Sequence, residues 1–143
     1  MKIKDIMTDQ LACIKPESTV TEAAQMMQKH DVGVIPVCEG EKVIGILTDR
    51  DIVVRNIAHG NNPQVTPVRD VMSSEVTYAT PEMSIHQAAG IMAVKQIRRL
   101  PVVEEQKLVG MVSLGDLATK GKYDVELSTT LSEISEPSQP ENL

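Results

Sequence analysis

The chain has 143 residues and a formal net charge of −6, from 14 Lys and Arg against 20 Asp and Glu. It has two Cys, two Tyr, no Trp and no Phe, so its core must be built from aliphatic residues and Met. These figures exclude a basic nucleic-acid face and a disulfide-rich scaffold, and no apolar stretch approaches the roughly 18 residues of a membrane span. The first ten residues lack the apolar run of a signal peptide, so we expect a cytoplasmic protein with no membrane association.

The chain contains an internal duplication with a period of 65 residues. Residues 5–52 align with residues 70–117 without a gap, and 13 of the 48 positions are identical. About three identities would be expected by chance at ordinary residue frequencies. A unit of roughly 60 residues buries too little surface to be comfortably stable alone, so the two copies should share a core.

Each copy is predicted to have the order β-α-β-β-α. A short strand, Leu11–Ile14 or Val76–Ala79, is followed by a helix with an apolar stripe, Val20–Met27 or Ile85–Met92. Capping boxes mark the helix starts, Thr19 with Glu22 and Ser84 with Gln87. Two short apolar runs then predict a strand pair in each copy: Val34–Cys38 with Val43–Leu47, and Leu100–Val103 with Leu108–Val112.

The second helix of each copy opens with another box, Thr48 with Asp51 and Ser113 with Asp116. We therefore expect a first unit at 1–58, a polar linker at 59–67, a second unit at 68–122 and an acidic tail at 123–143. The tail is expected to be disordered and dispensable for folding, with a short helix around Leu127–Ile134 that docks on a partner as the alternative.

The stretches VGVIPV, VIGILTDRDI, IRRLPVV and LVGMVSLGDL resemble the motifs of the CBS domain, and the likeness covers residues 1 to about 120. The combination is similar to stand-alone bacterial CBS-pair proteins. The resemblance implies an α/β (α+β) fold of two tandem units, packed sheet to sheet with pseudo-twofold symmetry. It also implies clefts that bind an adenosine compound (AMP, ADP, ATP, NAD or S-adenosylmethionine) and a homodimer. We expect the helices with stripes at Val20–Met27 and Ile85–Met92 to pair in that dimer, because they offer more apolar face than one short sheet can cover.

The same resemblance assigns the site residues. Ribose would be bound by Asp51 and Asp116, with the hydroxyls of Thr48 and Ser113 beside them. Backbone near two strands would hold the adenine, and two arginines would meet the phosphates. These last positions are Ile14, Ile35 and Pro36 in the first copy, Ala79, Leu100 and Pro101 in the second, and Arg98 and Arg99.

Physical chemistry allows a second interpretation of the aspartates. A carboxylate accepts strongly from a ribose diol, yet the same Thr48–Asp51 and Ser113–Asp116 spacings are common helix caps. The copies also differ, because Asp49 lies inside the first box and should discourage a polyphosphate there. Tyr78 is the one candidate for stacking on a base, although a packed Tyr is the expected alternative.

The two cysteines are a separate question. Cys13 and Cys38 fall on predicted neighbouring strands, which would permit a disulfide. A reducing cytosol favours two inert thiols instead, and both alternatives stay open.

No arrangement of residues supports catalysis. His30, His59 and His86 are scattered, and GDLATKGK at 115–122 departs from a phosphate loop in length and in its last residue. We therefore expect no enzyme, no cofactor and no metal. The leading hypothesis is a ligand-sensing module, and the alternative is a ligand-free scaffold or dimerisation module that recruits a protein partner.

Overall fold

The computed structural model describes residues 1–9, 12–120, 132 and 134. In chain order the regular elements are α1 (Val20–His30), β1 (Val34–Glu39), β2 (Lys42–Thr48), α2 (Asp49–Asp51), α3 (Ile85–Lys95), β3 (Arg99–Glu104), β4 (Lys107–Ser113) and α4 (Leu114–Lys120). The α/β class predicted from the sequence is confirmed. All four apolar runs form strands, each extended slightly beyond the predicted ends.

The strands form an antiparallel sheet in the order β1-β2-β4-β3. Strands β1 and β2 make a hairpin that runs from Val34 opposite Thr48 to Glu39 opposite Lys42, with a register shift after Val37. β2 meets β4 at one pair, Lys42 with Lys107. The turn between β1 and β2 includes Gly40 at a φ of 62°, a conformation that glycine adopts without steric cost.

The helices α1 and α3 start where their caps predict. The Thr19 hydroxyl accepts from the Glu22 backbone amide at 3.2 Å, and Ser84 and Gln87 form a complete reciprocal box. Glu22 does not return its bond, so the predicted box at Thr19 is only half formed. Both helices end in a left-handed residue, Asp31 and Gln96.

The short first strands predicted at Leu11–Ile14 and Val76–Ala79 are not formed as strands in the part of the chain that is described. Each is reduced to one parallel bridge, Ile14 with Val37 and Ala79 with Val102. The apolar residue is held at its bridge, and the residues just before it have no ladder partner. The prediction placed the contact correctly and overestimated its length.

The described residues fall into two compact units. The first unit consists of Gln10–Thr77 with Val103–Leu108, and the second of Met1–Asp9, Tyr78–Val102 and the residues from Val109 onward. The segment that precedes each repeat packs in the other unit, and the expected bounds of the two units stay a prediction. We call residues 1–9 and 67–74 the leading segments.

Backbone hydrogen bonds fix both leading segments. In the second unit, Ile3 N donates to Met83 O at 2.9 Å, and Thr8 N donates to Met111 O at 2.8 Å. In the first unit, the equivalent bonds run from Val68 N to Ser18 O at 2.7 Å and from Ser73 N to Ile46 O at 2.8 Å. The duplication therefore extends to the leading segments as well as to the repeats they cover.

Each unit has its own hydrophobic core. The first is built around Val20, Ala23 and Leu47 with Val68 and Val71. The members of the second core are Ile3, Ile6, Ala79, Ile85, Ala88, Ala89, Met92, Leu100, Val102, Val112, Leu117 and Ile134. The helical stripes that we expected to pair in a homodimer are therefore covered within their own units, and that basis for a dimer is wrong.

Ile134 departs from the expected disorder of the tail. It is helical, 4% exposed and packed in the core of the second unit. The short helix expected around Leu127–Ile134 is supported at this residue, and the rest of that prediction lies outside the described residues. Among the residues described, no helix has the length and apolar character needed to cross a membrane.

Candidate functional site

Both predicted boxes at the second helices are formed. In the first unit, Thr48 Oγ1 accepts from Asp51 N at 3.0 Å, and Asp51 Oδ2 accepts from Thr48 N at 2.9 Å. In the second unit, Ser113 Oγ accepts from Asp116 N at 3.1 Å, and Asp116 Oδ2 accepts from Ser113 N at 2.9 Å. Capping thus uses one oxygen of each carboxylate.

The second oxygen of each carboxylate faces a basic side chain one helical turn later. Asp51 Oδ1 lies 3.8 Å from Arg55 Nε, and Asp116 Oδ1 lies 3.9 Å from Lys120 Nζ. Both separations exceed hydrogen-bonding distance, so each Oδ1 keeps acceptor capacity for a ligand. The two aspartate side chains are 17% and 22% exposed, which leaves them within reach of a small molecule.

Arg55 and Lys120 were missed by the sequence analysis. They occupy equivalent positions in the two copies, four residues after the box aspartate, and this i,i+4 spacing is a recognised acid–base pairing on helices. Each also reaches the leading segment of its unit, since Arg55 Nη1 donates to Val71 O and Met72 O, and Lys120 Nζ donates to Ile6 O at 2.9 Å. Arg55 and Lys120 thereby connect each box aspartate to the leading segment of its own unit.

The strand residues that the resemblance assigns to the adenine have side chains in the cores. Ile35 and Leu100 are fully buried. Ile14 N donates to Pro36 O at 3.0 Å, and Ala79 N donates to Pro101 O at 2.9 Å. Any contact that these strand residues make with a ligand would therefore come from backbone.

The residue just before β1 or β3 is hydrogen-bonded to the first residue of the helix that contains the box aspartate. Asp49 N donates to Gly33 O at 2.9 Å, and in the second unit Leu114 N donates to Arg98 O at 2.7 Å. The backbone of Arg98 therefore lies next to the first residue of α4, the helix that contains Asp116. Arg99 is the exposed first residue of β3.

The side chains around these equivalent bonds differ. The Asp49 carboxylate lies over Gly33, where an added Cβ would be 2.9 Å from Asp49 Oδ2. In the second unit those two positions hold Leu114 and Arg98. Within residues 12–120, no ion pair engages the exposed Arg98 or Arg99. The second box is therefore the more electropositive of the two.

Two other predicted residues are placed by the structure. Tyr78, just before Ala79, is 49% exposed, so the expectation of a packed Tyr is wrong. Cys13 and Cys38 are free thiols, the first exposed and the second buried. In the described part of the chain, no three His, Cys, Asp or Glu side chains group closely enough to hold a metal ion.

Comparison with known proteins identifies relatives along most of the chain. The family model "CBS domain" matches residues 3–56 and 68–122. CBS domain-containing protein YhcV of Bacillus subtilis is 47% identical over 133 residues, which cover 93% of this chain and 94% of YhcV. Hypoxic response protein 1 of Mycobacterium tuberculosis is 36% identical over 116 residues, covering 80% of this chain and 81% of that protein.

Two solved structures are informative. The structure of Hypoxic Response Protein I, described with two coordinated zinc ions, superposes with a TM-score of 0.77 at 35% identity, covering 84% of this chain and 98% of that one. The CBS domain pair of protein MJ0100, in complex with 5-methylthioadenosine and S-adenosylmethionine, gives a TM-score of 0.75 at 24% identity, covering 87% and 98%. At that identity the second likeness shows the fold alone.

Proposed function

We infer that this chain, which belongs to the CBS domain family, is a non-catalytic regulatory module that binds an adenosine compound through Asp51 and Asp116. The observation that carries the proposal is the Oδ1 atom of each box aspartate, which takes no part in capping and faces its basic partner beyond hydrogen-bonding distance. A ribose presents two adjacent hydroxyls, and a fixed carboxylate accepts from both in charge-assisted hydrogen bonds. Capping and binding are therefore compatible, since they use different oxygens of one side chain.

The capping bonds support this role by fixing the carboxylate before a ligand arrives. Each aspartate is held by its own backbone amide and by the bond it receives at Oδ2. A pre-organised acceptor loses little conformational freedom on binding, which favours affinity. The same reasoning assigns the adenine to backbone near Ile14 and Ala79, with exposed Tyr78 available to stack on a base in the second unit.

The charges around the boxes favour different ligands. Arg98 and Arg99 suit a phosphorylated adenosine in the second unit, because a guanidinium binds phosphate bidentately. Asp49 repels a phosphate in the first unit and suits an uncharged or cationic adenosine compound there. We propose that the two units have different ligand preferences.

A thermal-shift panel of AMP, ADP, ATP, NAD and S-adenosylmethionine tests the proposal. A ligand at 100 times its dissociation constant should add about 2.7 kcal/mol of stability. Asp51→Asn with Asp116→Asn should abolish the shift, because an amide retains the size and capping oxygen of the side chain and loses its charge. Ser84→Ala is the matched control, since it removes a cap of the same kind from α3, away from the site.

Persistent binding in the double Asn variant would refute the role of the aspartates. A panel without any shift would favour the alternative, a ligand-free scaffold that recruits a protein partner. The single variants separate the units, since phosphate-bearing ligands should lose their effect with Asp116→Asn and keep it with Asp51→Asn.

A homodimer also forms part of the proposal, on a different surface from the one the sequence indicated. The outer face of α3 contains an apolar groove lined by Met83, Gln87, Gly90, Ile91, Val94 and Lys95. Val94 is 81% exposed there, and an added Cβ at Gly90 would meet nothing within 4 Å. A second copy of α3 could approach closely at Gly90 and remove Val94 from water.

A further inference from the structure

Cys13 and Cys38 lie on either side of one parallel bridge in the first unit. Ile14 is paired with Val37, and two hydrogen bonds hold the pair, from Ile14 N to Pro36 O at 3.0 Å and from Cys38 N to Ile14 O at 2.9 Å. Side chains alternate along extended backbone, so both cysteines lie on the face opposite Ile14 and Val37. The two thiols are near enough for Cys13 to help raise the pKa of the Cys38 thiol.

The two thiols differ in what they can do. Cys13 is exposed, whereas Cys38 is 3% exposed. Burial raises the pKa of the Cys38 thiol to about 12, and the neighbouring Cys13 contributes through its charge and its hydrogen bond. Because the thiolate is the reactive form, Cys38 is a weak nucleophile at neutral pH. An oxidant in solution therefore meets Cys13 first.

We propose that Cys13 and Cys38 are a redox pair that forms a reversible intramolecular disulfide, with Cys13 as the attacking thiol and Cys38 as the resolving thiol. The oxidant is a small-molecule disulfide. The pairing rests on their shared bridge, their common face and their contrast in exposure, and it is independent of any ligand at the aspartates.

The chemistry proceeds by two exchanges. The Cys13 thiolate attacks one sulfur of the small disulfide, whose S–S bond breaks to release one thiolate that takes up a proton. The Cys38 sulfur, losing its proton to solvent, then attacks the Cys13 sulfur of the mixed disulfide and releases the second small thiol. The two protein thiols are oxidised to one disulfide, and the small disulfide is reduced to two thiols.

The bond would act on one unit only. The equivalent positions in the second unit hold Tyr78 and Val103, which cannot form a disulfide. In the first unit the bond would fix the backbone at Ile14 to β1, beside Pro36. Oxidation would therefore stiffen the attachment of Ile14 to β1 at Val37 and leave its counterpart in the second unit unchanged.

Oxidised glutathione on the full chain tests the proposal without any variant. The expected product is a monomer that has lost two hydrogens, carries no free thiol when denatured, and yields one Cys13–Cys38 linked peptide on digestion. A reducing agent should restore both thiols. The rate of the second exchange should rise about tenfold per pH unit below the pKa of Cys38, because only its thiolate attacks.

Two variants assign the roles. Cys38→Ala should stop at a stable glutathione adduct on Cys13, and Cys13→Ala should react far more slowly, with circular dichroism confirming that both are folded. Wild-type chains that keep the adduct at Cys13 at every pH, or that link to one another through Cys13, would overturn the proposal. Equal reactivity of the two single variants would overturn the assigned order.

Discussion

The two units share a backbone framework and differ in the side chains placed on it. The bonds Asp49 N to Gly33 O and Leu114 N to Arg98 O are equivalent, and so are the two boxes. At these same positions the first unit has a carboxylate over a glycine, and the second has an arginine and a leucine. Duplication has preserved the hydrogen bonds that define the fold, while the charges that would select a ligand have diverged.

The largest expected effect on stability comes from a difference between the two hydrophobic cores. Ile134 is part of the second core, whereas Val71 is the last buried residue along the chain in the core of the first unit. Ile134→Ala should lower the free energy of unfolding by about 2–5 kcal/mol, the usual cost of such a truncation in a packed core. Denaturant unfolding measures the loss, and hydrogen exchange should place it in the second unit. An unchanged midpoint would show that the tail is dispensable.

The next effect should be equal in the two units. An added Cβ at Gly45 would lie 3.0 Å from Ser73 O, and one at Gly110 would lie 3.0 Å from Thr8 O. Backbone oxygens of the leading segments cannot give way as a side chain can, so Gly45→Ala and Gly110→Ala should each cost about 1–3 kcal/mol.

Gly90→Ala is the matched control for these two variants. It adds the same methyl group in open space on α3 of a single chain and, at concentrations where the chain is monomeric, should stabilise it by up to about 1 kcal/mol. If Gly45→Ala and Gly110→Ala proved as harmless as the control, the close approach of the leading segments would be contradicted.

The smallest expected effect concerns the helices α1 and α3. The first copy has Lys29 where the second has Val94, and Gln25 where the second has Gly90. Val94→Lys makes α3 resemble α1 and should weaken the proposed homodimer at least tenfold, about 1.4 kcal/mol. Light scattering across a concentration series measures the change. A wild-type chain that stays monomeric at micromolar concentration would remove the dimer from the proposal.

The sequence predicted the local features of this fold well. The apolar runs formed β1 to β4, and Thr48, Ser84 and Ser113 cap helices as their spacing indicated. These features depend on residues a few positions apart, which is the range over which a periodic pattern carries information. The first strands were overestimated because one bridge and a longer ladder have the same apolar pattern.

The missed features depend on distant pairing. Nothing in the leading segments indicates which repeat they cover, because Ile3 and Val68 have the same apolar character wherever they are buried. For the candidate site, the sequence named Asp51 and Asp116 but left capping and binding as alternatives. Only atomic positions show that capping occupies Oδ2 and leaves Oδ1 outside the cap.

The leading segments have a consequence for the order in which a newly made chain folds. Residues 1–9 leave the ribosome first, yet their partners around Met83 and Met111 are made much later. At roughly 5–20 residues per second, about 4–15 s pass before the first of these partners is synthesised. The first unit can meet its own leading segment, at Val68 and Ser73, well before then. Biosynthesis therefore favours early folding of the part of the first unit that ends at Thr77, while residues 1–9 still wait with Ile3 and Ile6 exposed to solvent or to a chaperone.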